Sequence, residues 1–466
     1  MIKFFKKFSK KVFIKRAILF HIDEEARDTV VAKSFANVSK SKNHLMIFSS
    51  RLTSKLYKFF RIDNFLDNII VPKPYFIDLY TKDYKKRVFS LLPTEALGHL
   101  SYSKEGVLDH FVPFGPNADE KKISTISNVI NLHFLWGEDV AKSVEELSPI
   151  KKAKLYTVGH PRYFNHDCSK SKKKPVDISR ERKLRIGFSS RFDSLNSYNF
   201  RQSSSLIETI IFNESCMKWL RKEEIEAGIG IKERLYKDIQ DIRNMFQIID
   251  ALKENSRIDI LFRPHPREDI YNWKNIAKRF NSKKIKWCLD ITKQSFTSWL
   301  NDIDIIISPP STTFYDCMFL GVYPISTAKL VKNRNKLLNY HWDDTNKINK
   351  FIKCPSTIEE LLDLIEDISS SYNEYVPNFW SQDKINSVNG EVDFLKSKNS
   401  VALIIETINK ETPHHKLGLM RFLYIYPIIF IVEFIGCLGN FLLFLIKQRS
   451  SSYFFFSLKE RFKIYK

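Results

Sequence analysis

Short apolar runs alternate with longer stretches of mixed polarity along most of the chain. Residues 16–21, 45–49, 69–71 and 88–92 are such runs, and each reads as a buried strand. A polar turn with Asp23, Glu24 and Glu25 follows the first, and a helix is predicted over 26–38. Runs at 132–136 and 155–158 close this first set. A second set opens at 184–188 and continues at 258–262, 285–289, 303–307 and 321–325. It includes a long helical region over 206–254 and a further helix over 358–369. Strands that alternate with helices predict parallel sheets covered by helices on both faces, the α/β class.

The two sets are separated by a segment rich in Lys and Ser that contains Pro175, a boundary signal. The pattern therefore predicts a first Rossmann-like lobe over 1–165, a linker over 166–182 and a second Rossmann-like lobe over 183–415. Residues 416–466 differ from both. Positions 422–446 are apolar for about 25 residues, long enough for a bilayer core. Pro427, Glu433 and Asn440 interrupt them, and a charged Glu433 is costly in lipid. Lys416 and Arg421 precede the stretch, while Lys447 and Arg449 follow it, so the charges set no orientation. A hydrophobic, helical, membrane-associated tail is expected, either spanning the bilayer or lying in its interface.

Composition narrows the partners. The 466 residues suffice for two domains and an appendage, and 43% are apolar. The net charge of +22 attracts polyanions: nucleic acid, anionic lipid or phosphorylated ligands. No helix-turn-helix, zinc-finger or RNP pattern is present, so no nucleic-acid partner is expected. The six cysteines are scattered without a CxxC pair, as in a reducing compartment. The first residues lack a signal-peptide pattern. Ile2, Phe5, Phe8 and Val12 can share a helix face opposite lysines, which suits an anionic membrane surface; a solvated start fits the same residues. These features place the chain at the cytoplasmic face of a membrane, peripheral or anchored by its C-terminal segment.

Candidate chemistry gathers where strands end. Arg263, Pro264, His265 and Pro266 follow a predicted strand directly. Ligands of open α/β sheets bind outside that edge. Arg263 is a permanent cation and His265 can donate to phosphate or pass a proton. A rigid turn with a surface histidine uses the same residues. Ser311, Thr312 and Thr313 follow another strand where a helix starts, which favours an anion such as a diphosphate. Asp316, one turn on, can accept hydrogen bonds from ribose hydroxyls. An ordinary Ser/Thr cap with a solvated Asp fits too. Ser189 and Arg191 end a third strand of the same lobe and can add a hydroxyl and a cation. In the first lobe Glu95 follows a strand and is the candidate general base, with Asp109 and His110 as competitors. Gly159, His160 and Arg162 sit just before the linker and read as a hinge between lobes, or as a plain Gly-Pro turn. No DxD-like pair stands where it would hold a metal. Metal-independent chemistry without a cofactor is expected.

With these residues in order, the chain resembles the surface carbohydrate (polysaccharide) biosynthesis proteins of the GT-B glycosyltransferase superfamily. Four pieces carry the likeness, which covers roughly residues 16 to 330. They are Glu25, Ala26, Arg27 and Asp28; Trp136, Gly137 and Glu138 ahead of Gly159, His160, Pro161 and Arg162; Arg263 to Pro266; and the run from Ser311 to Asp316. The last is similar to the Ser-Gly-Gly-x-x-Glu turn of nucleotide-sugar 2-epimerases, whose small residues hold the diphosphate and whose acidic residue holds ribose. Here Thr312 and Thr313 replace the glycines and Asp316 the glutamate. His-Pro turns followed by Ser/Thr turns also occur in CDP-glycerol glycerophosphotransferases and some bacterial sialyltransferases, which use cytidine donors.

The resemblance implies a GT-B-like fold, with two Rossmann-like lobes and an interlobe cleft. It implies transfer of a sugar from a nucleotide-activated donor to a glycan or lipid-linked acceptor of surface polysaccharide or lipopolysaccharide synthesis. Polyol-phosphate transfer on the same fold, and a non-catalytic scaffold in a polysaccharide assembly complex, are the alternatives.

Overall fold

The computed structural model describes residues 16–22, 25–49, 66–71, 88–91, 130–145, 154–165, 182–192, 231–266, 268–280, 282–291, 294–331, 347–411 and 427–432, with single positions elsewhere. The chain divides into two compact units, 1–166 with 388–466, and 167–387.

Among the described residues the first unit has six parallel strands: β1 (Arg16–His21), β2 (His44–Ser49), β3 (Asn68–Val71), β4 (Val88–Leu91), β5 (Ile130–Leu135) and β6 (Lys154–Thr157). Their order across the sheet is β2-β1-β3-β4-β5-β6. β1 and β2 are buried along their whole length, which explains their unbroken apolar runs. Helix α1 (Glu25–Ser41) joins them, and α2 (Glu138–Glu145) joins β5 to β6. Ala32 and Phe35 of α1 pack on Ile18, Phe20 and Phe48.

Among the described residues the second unit has five parallel strands: β7 (Leu184–Ser189), β8 (Ile258–Arg263), β9 (Ile285–Trp287), β10 (Ile305–Ser308) and β11 (Tyr323–Ser326). Their order is β11-β10-β7-β8-β9. The chain therefore runs outward from β7 to β9, returns, and runs outward again through β10 and β11. β7 and β10 flank the point where the strand order reverses. The helices described in it include α3 (Ile231–Leu252), α4 (Ile270–Phe280), α5 (Phe296–Asn301), α6 (Thr313–Leu320), α7 (Ile358–Ser370), α8 (Tyr372–Tyr375) and α9 (Gln382–Val388). An aromatic core fills one part of the unit, with the rings of Phe262 and Trp273 4.8 Å apart. At the amino edge of the sheet Arg182 grips Asp304 through two hydrogen bonds of 2.6 and 2.8 Å. Tyr372 donates to the same carboxylate at 3.0 Å. This clasp pins the start of β7 to the start of β10, well away from the carboxyl edge.

The expected span 183–415 for the second lobe needs correction. Helix α10 (Phe394–Glu411) belongs to the first unit. Its Val401, Ile404, Ile405 and Ile408 recur at helical spacing and lie in one cluster with Ile18, Phe20 and Phe134. Burying four aliphatic side chains contributes roughly 6–12 kcal/mol before the entropy of ordering them. The hydrophobic stripe of a helix does not say which sheet it will cover, and here the chain returns to the first one.

Among the described residues no helix is long and apolar enough to cross a membrane. Part of the expected tail, 427–432, is helical. Ile428, Ile429 and Val432 are buried there while Phe430 and Ile431 are exposed.

Candidate functional site

The carboxyl edge of the second sheet collects polar residues that a purely structural edge does not require. Parallel pairing sets Ser189 of β7 opposite Arg263 of β8, and Ile307 of β10 opposite Phe188 of β7. The segments after β7, β8 and β10 thus leave side by side, and β7/β10 is the topological switch point where open α/β sheets take ligands.

Ser190 is the link between two of these segments. It is buried; its N–H donates to the Arg263 carbonyl at 3.1 Å, and its Oγ accepts from the His265 N–H at 3.0 Å. The same hydroxyl donates to Glu268 Oε2 at 2.5 Å. Glu268, 1% exposed, also accepts from the Phe192 N–H at 2.5 Å and from the Trp273 indole at 2.7 Å. One buried carboxylate therefore fixes the end of β7, the turn after β8 and the start of α4. His265 is half-buried and its backbone is held. Sequence reasoning chose Ser189 and Arg191 here. Ser189 is half-buried and Arg191 exposed, and the neighbouring Ser190 makes the contacts. Glu268 was missed, although it lies only five residues after Arg263.

Arg263 is 3% exposed. Its Nη2 donates to the Ile291 carbonyl at 3.4 Å, and its Nη1 is buried without a hydrogen-bond partner. Burial pulls its pKa down to about 10, only partly offset by the Cys288 thiol beside it. A buried guanidinium with one nitrogen unsatisfied is a costly arrangement for the protein alone. At the other side of the edge, Thr327 after β11 is 3% exposed and its Oγ1 likewise lacks a partner. β8 and β11 are three strands apart, about 14 Å.

Ser311, Thr312 and Thr313 form the turn into α6. The Ser311 Oγ accepts from the Thr313 N–H at 3.3 Å and donates to Thr313 Oγ1 at 3.1 Å. Ser311 thus does the capping that Thr312, at the cap position, does not. The Phe314 and Tyr315 amides are taken by the Ser311 and Thr312 carbonyls. What the turn offers a ligand is hydroxyls and the positive end of the helix rather than a row of unpaired N–H groups. Asp316 lies in the first turn of α6 and is buried, 3% exposed.

The residues read as a hinge occupy a different place. Gly159 has φ 77°, and a Cβ there would stand 2.3 Å from the Ser397 nitrogen. The His160 N–H donates to Ser397 Oγ at 2.8 Å, and its ring stacks on Trp136 at 3.8 Å. The Arg162 N–H donates to His160 Nδ1 at 3.2 Å. The Asn165 N–H donates to the Lys398 carbonyl at 2.9 Å. Around Gly137, the Asp139 N–H donates to the Gly390 carbonyl and the Asp393 N–H to the Trp136 carbonyl, both at 2.7 Å. Two sequence pieces, 136–138 and 159–162, are therefore brought together on the start of α10 within the first unit. The chain leaves this unit near 166 and re-enters it near 388, so both passages are tied to the same cluster.

Glu95, Asp109 and His110 lie outside the described residues. Helix α1 begins at Glu25, after the carboxyl end of β1, so the piece Glu25 to Asp28 occupies the edge of the first sheet that corresponds to the site above.

Fold and edge together define a two-unit α/β protein whose second parallel sheet carries a polar, cation-bearing carboxyl edge. No family profile and no curated protein matches the chain. Solved structures similar to it include the UDP-GlcNAc 2-epimerase of Neisseria meningitidis bound to UDP-GlcNAc, at 10% identity, covering 84% of this chain and 100% of that one, with a TM-score of 0.45. A variant of the wall teichoic acid polymerase TagF soaked with CDPG is similar at 11% identity, 86% and 90% coverage and a TM-score of 0.49. HepE of Anabaena, in complex with UDP and glucose, is similar at 10% identity, 84% and 100% coverage and a TM-score of 0.43.

Proposed function

We propose that this protein is a glycosyltransferase of surface polysaccharide or lipopolysaccharide synthesis that uses a nucleotide-activated sugar. The observation that carries the reading is the buried Arg263 guanidinium, unsatisfied at Nη1, at the end of β8 on the same carboxyl edge of the sheet as Ser190, His265, Ser311 and Thr313. An anion reaching that edge satisfies the cation, and a nucleoside diphosphate is an anion that also has hydroxyls to recognise. In this reading Arg263 and the start of α6 neutralise the diphosphate, Ser311, Thr312 and Thr313 hydrogen-bond it, and Asp316 holds the ribose. His265 donates a proton or hydrogen bond to the leaving phosphate.

The chemistry is one substitution. The acceptor hydroxyl loses its proton to a base, for which Glu95 is the candidate, and its oxygen bonds to the anomeric carbon. The bond from that carbon to the phosphate oxygen breaks, and its electron pair leaves with the nucleotide. The donor is a substrate and the reading uses no metal or cofactor. The acceptor is a growing glycan or a lipid-linked sugar.

The test is a calorimetric titration of the full chain in detergent with UDP, CDP, GDP, CMP and ADP, each with and without Mg²⁺. Binding of one nucleotide, lost in Arg263→Met and Asp316→Asn, is the expected result and names the donor class. A folded protein that binds none of them refutes the proposal.

A further inference from the structure

We propose that the helical positions 427–432, 434, 435 and 438 dock flat on an anionic lipid surface through one of their two apolar faces. The described positions of this segment are apolar in two arcs, one buried and one exposed. Ile428, Ile429 and Val432 are 8%, 6% and 0% exposed. Phe430, Ile431, Phe434, Ile435 and Leu438 are 56%, 43%, 53%, 39% and 49% exposed. At about 100° per residue the exposed set falls in one arc of roughly 140°, and the buried set falls in the arc opposite. Five large apolar side chains in one stripe are more than the scattered exposed apolar residues of an ordinary surface.

Charge identifies the occupant. Between 412 and 466 the sequence carries eight cations, Lys416, Arg421, Lys447, Arg449, Lys459, Arg461, Lys463 and Lys466, against two carboxylates, Glu433 and Glu460. A second copy of the chain brings the same excess, and +22 overall, so two copies repel across this stripe. A bilayer with anionic headgroups attracts the flanking cations and accepts the apolar stripe between them. The packed face opposite holds the helix to the protein, so it lies along the surface rather than crossing it. The arrangement suits an enzyme whose acceptor is carried on a lipid, but it does not depend on the proposed activity.

The test is flotation of the full chain with vesicles of phosphatidylcholine alone or of phosphatidylcholine with phosphatidylglycerol. Wild type is expected to float with the anionic vesicles only, and to be released by high salt or alkaline carbonate. Phe434→Ser with Leu438→Ser should weaken this binding at least about tenfold, since each change removes a large apolar side chain from the lipid contact. Circular dichroism, unchanged because both positions are exposed, guards against misfolding. Equal binding by the double variant overturns the proposal, as does no binding by wild type or resistance to carbonate. A dimer that the same substitutions dissociate also overturns it, because a second copy then covers the stripe.

Discussion

Replacing Arg263 by methionine should make the protein more stable and unable to hold its ligand. The guanidinium is 3% exposed, and burial lowers its pKa to about 10, well below the usual guanidinium value. For a cation this shift is a penalty on the folded state. Below pH 10 the group is charged in folded and unfolded chains alike, and the full penalty applies. As pH rises above about 10 the folded state sheds its proton first, and stability recovers because the unfolded chain binds more protons. The shift corresponds to roughly 3 kcal/mol at neutral pH. Methionine removes that penalty but leaves the Ile291 carbonyl without the Nη2 donor, which costs about 1 kcal/mol. A net gain of about 1–2 kcal/mol follows, or roughly 2–8 °C in Tm for a unit of this size. Calorimetric unfolding at neutral pH, with and without saturating nucleotide, reads both halves of the prediction. Wild type should gain stability with nucleotide and Arg263→Met should not. A variant that is several kcal/mol less stable, with nucleotide binding intact, would show the guanidinium to be a structural element and refute the reasoning.

Three other changes separate the supports of the fold from the site. Glu268→Gln places an amide where three donors converge, and should cost about 2–4 kcal/mol in denaturant unfolding; a loss under 1 kcal/mol contradicts the role given to Glu268. Gly159→Ala should cost at least about 2 kcal/mol and raise hydrogen exchange in α10, because φ is 77° and the new Cβ meets the Ser397 backbone; unchanged protection of α10 contradicts it. Tyr323 is 1% exposed and burial raises its pKa to about 12, so the unfolded phenol ionises two pH units before the folded one. Stability should therefore fall between pH 10 and 12 by about 2–3 kcal/mol, and Tyr323→Phe should flatten that limb of the unfolding curve.

The sheets were legible because they are parallel and buried. Runs such as Ala17 to Phe20 and Ile305 to Ile307 are apolar on both faces, and the strands found at 16–21, 184–189 and 258–263 match the expected ones within a residue or two. β10 and β11 start two residues later than expected, at 305 and 323 against 303 and 321, and Ile303 packs in the core without joining the ladder. The position of Arg263 and of the Ser311 turn at strand ends also followed from pattern alone. Glu268 and Ser190 did not. Their importance lies in hydrogen bonds across 78 residues of sequence, and a Glu after a Pro-rich turn looks like any surface acid. The same holds for α10: Val401, Ile404, Ile405 and Ile408 announce an amphipathic helix, but only the three-dimensional path returns it to the first sheet. Gly159 shows a third limit. A Gly before His-Pro reads as a turn, while its physical reason is the backbone of Ser397 pressed against it.

The central claim is that a nucleotide sits at the carboxyl edge of the second sheet. Cross-linking the full chain with a photoreactive nucleoside diphosphate, and mapping the labelled peptides by mass spectrometry, tests it most directly. Labels within 263–268 or 308–316, competed away by unmodified nucleotide and lost in Arg263→Met, are the predicted result. Competable labelling confined to the amino edge around Arg182 and Asp304, or to the first unit alone, would contradict it.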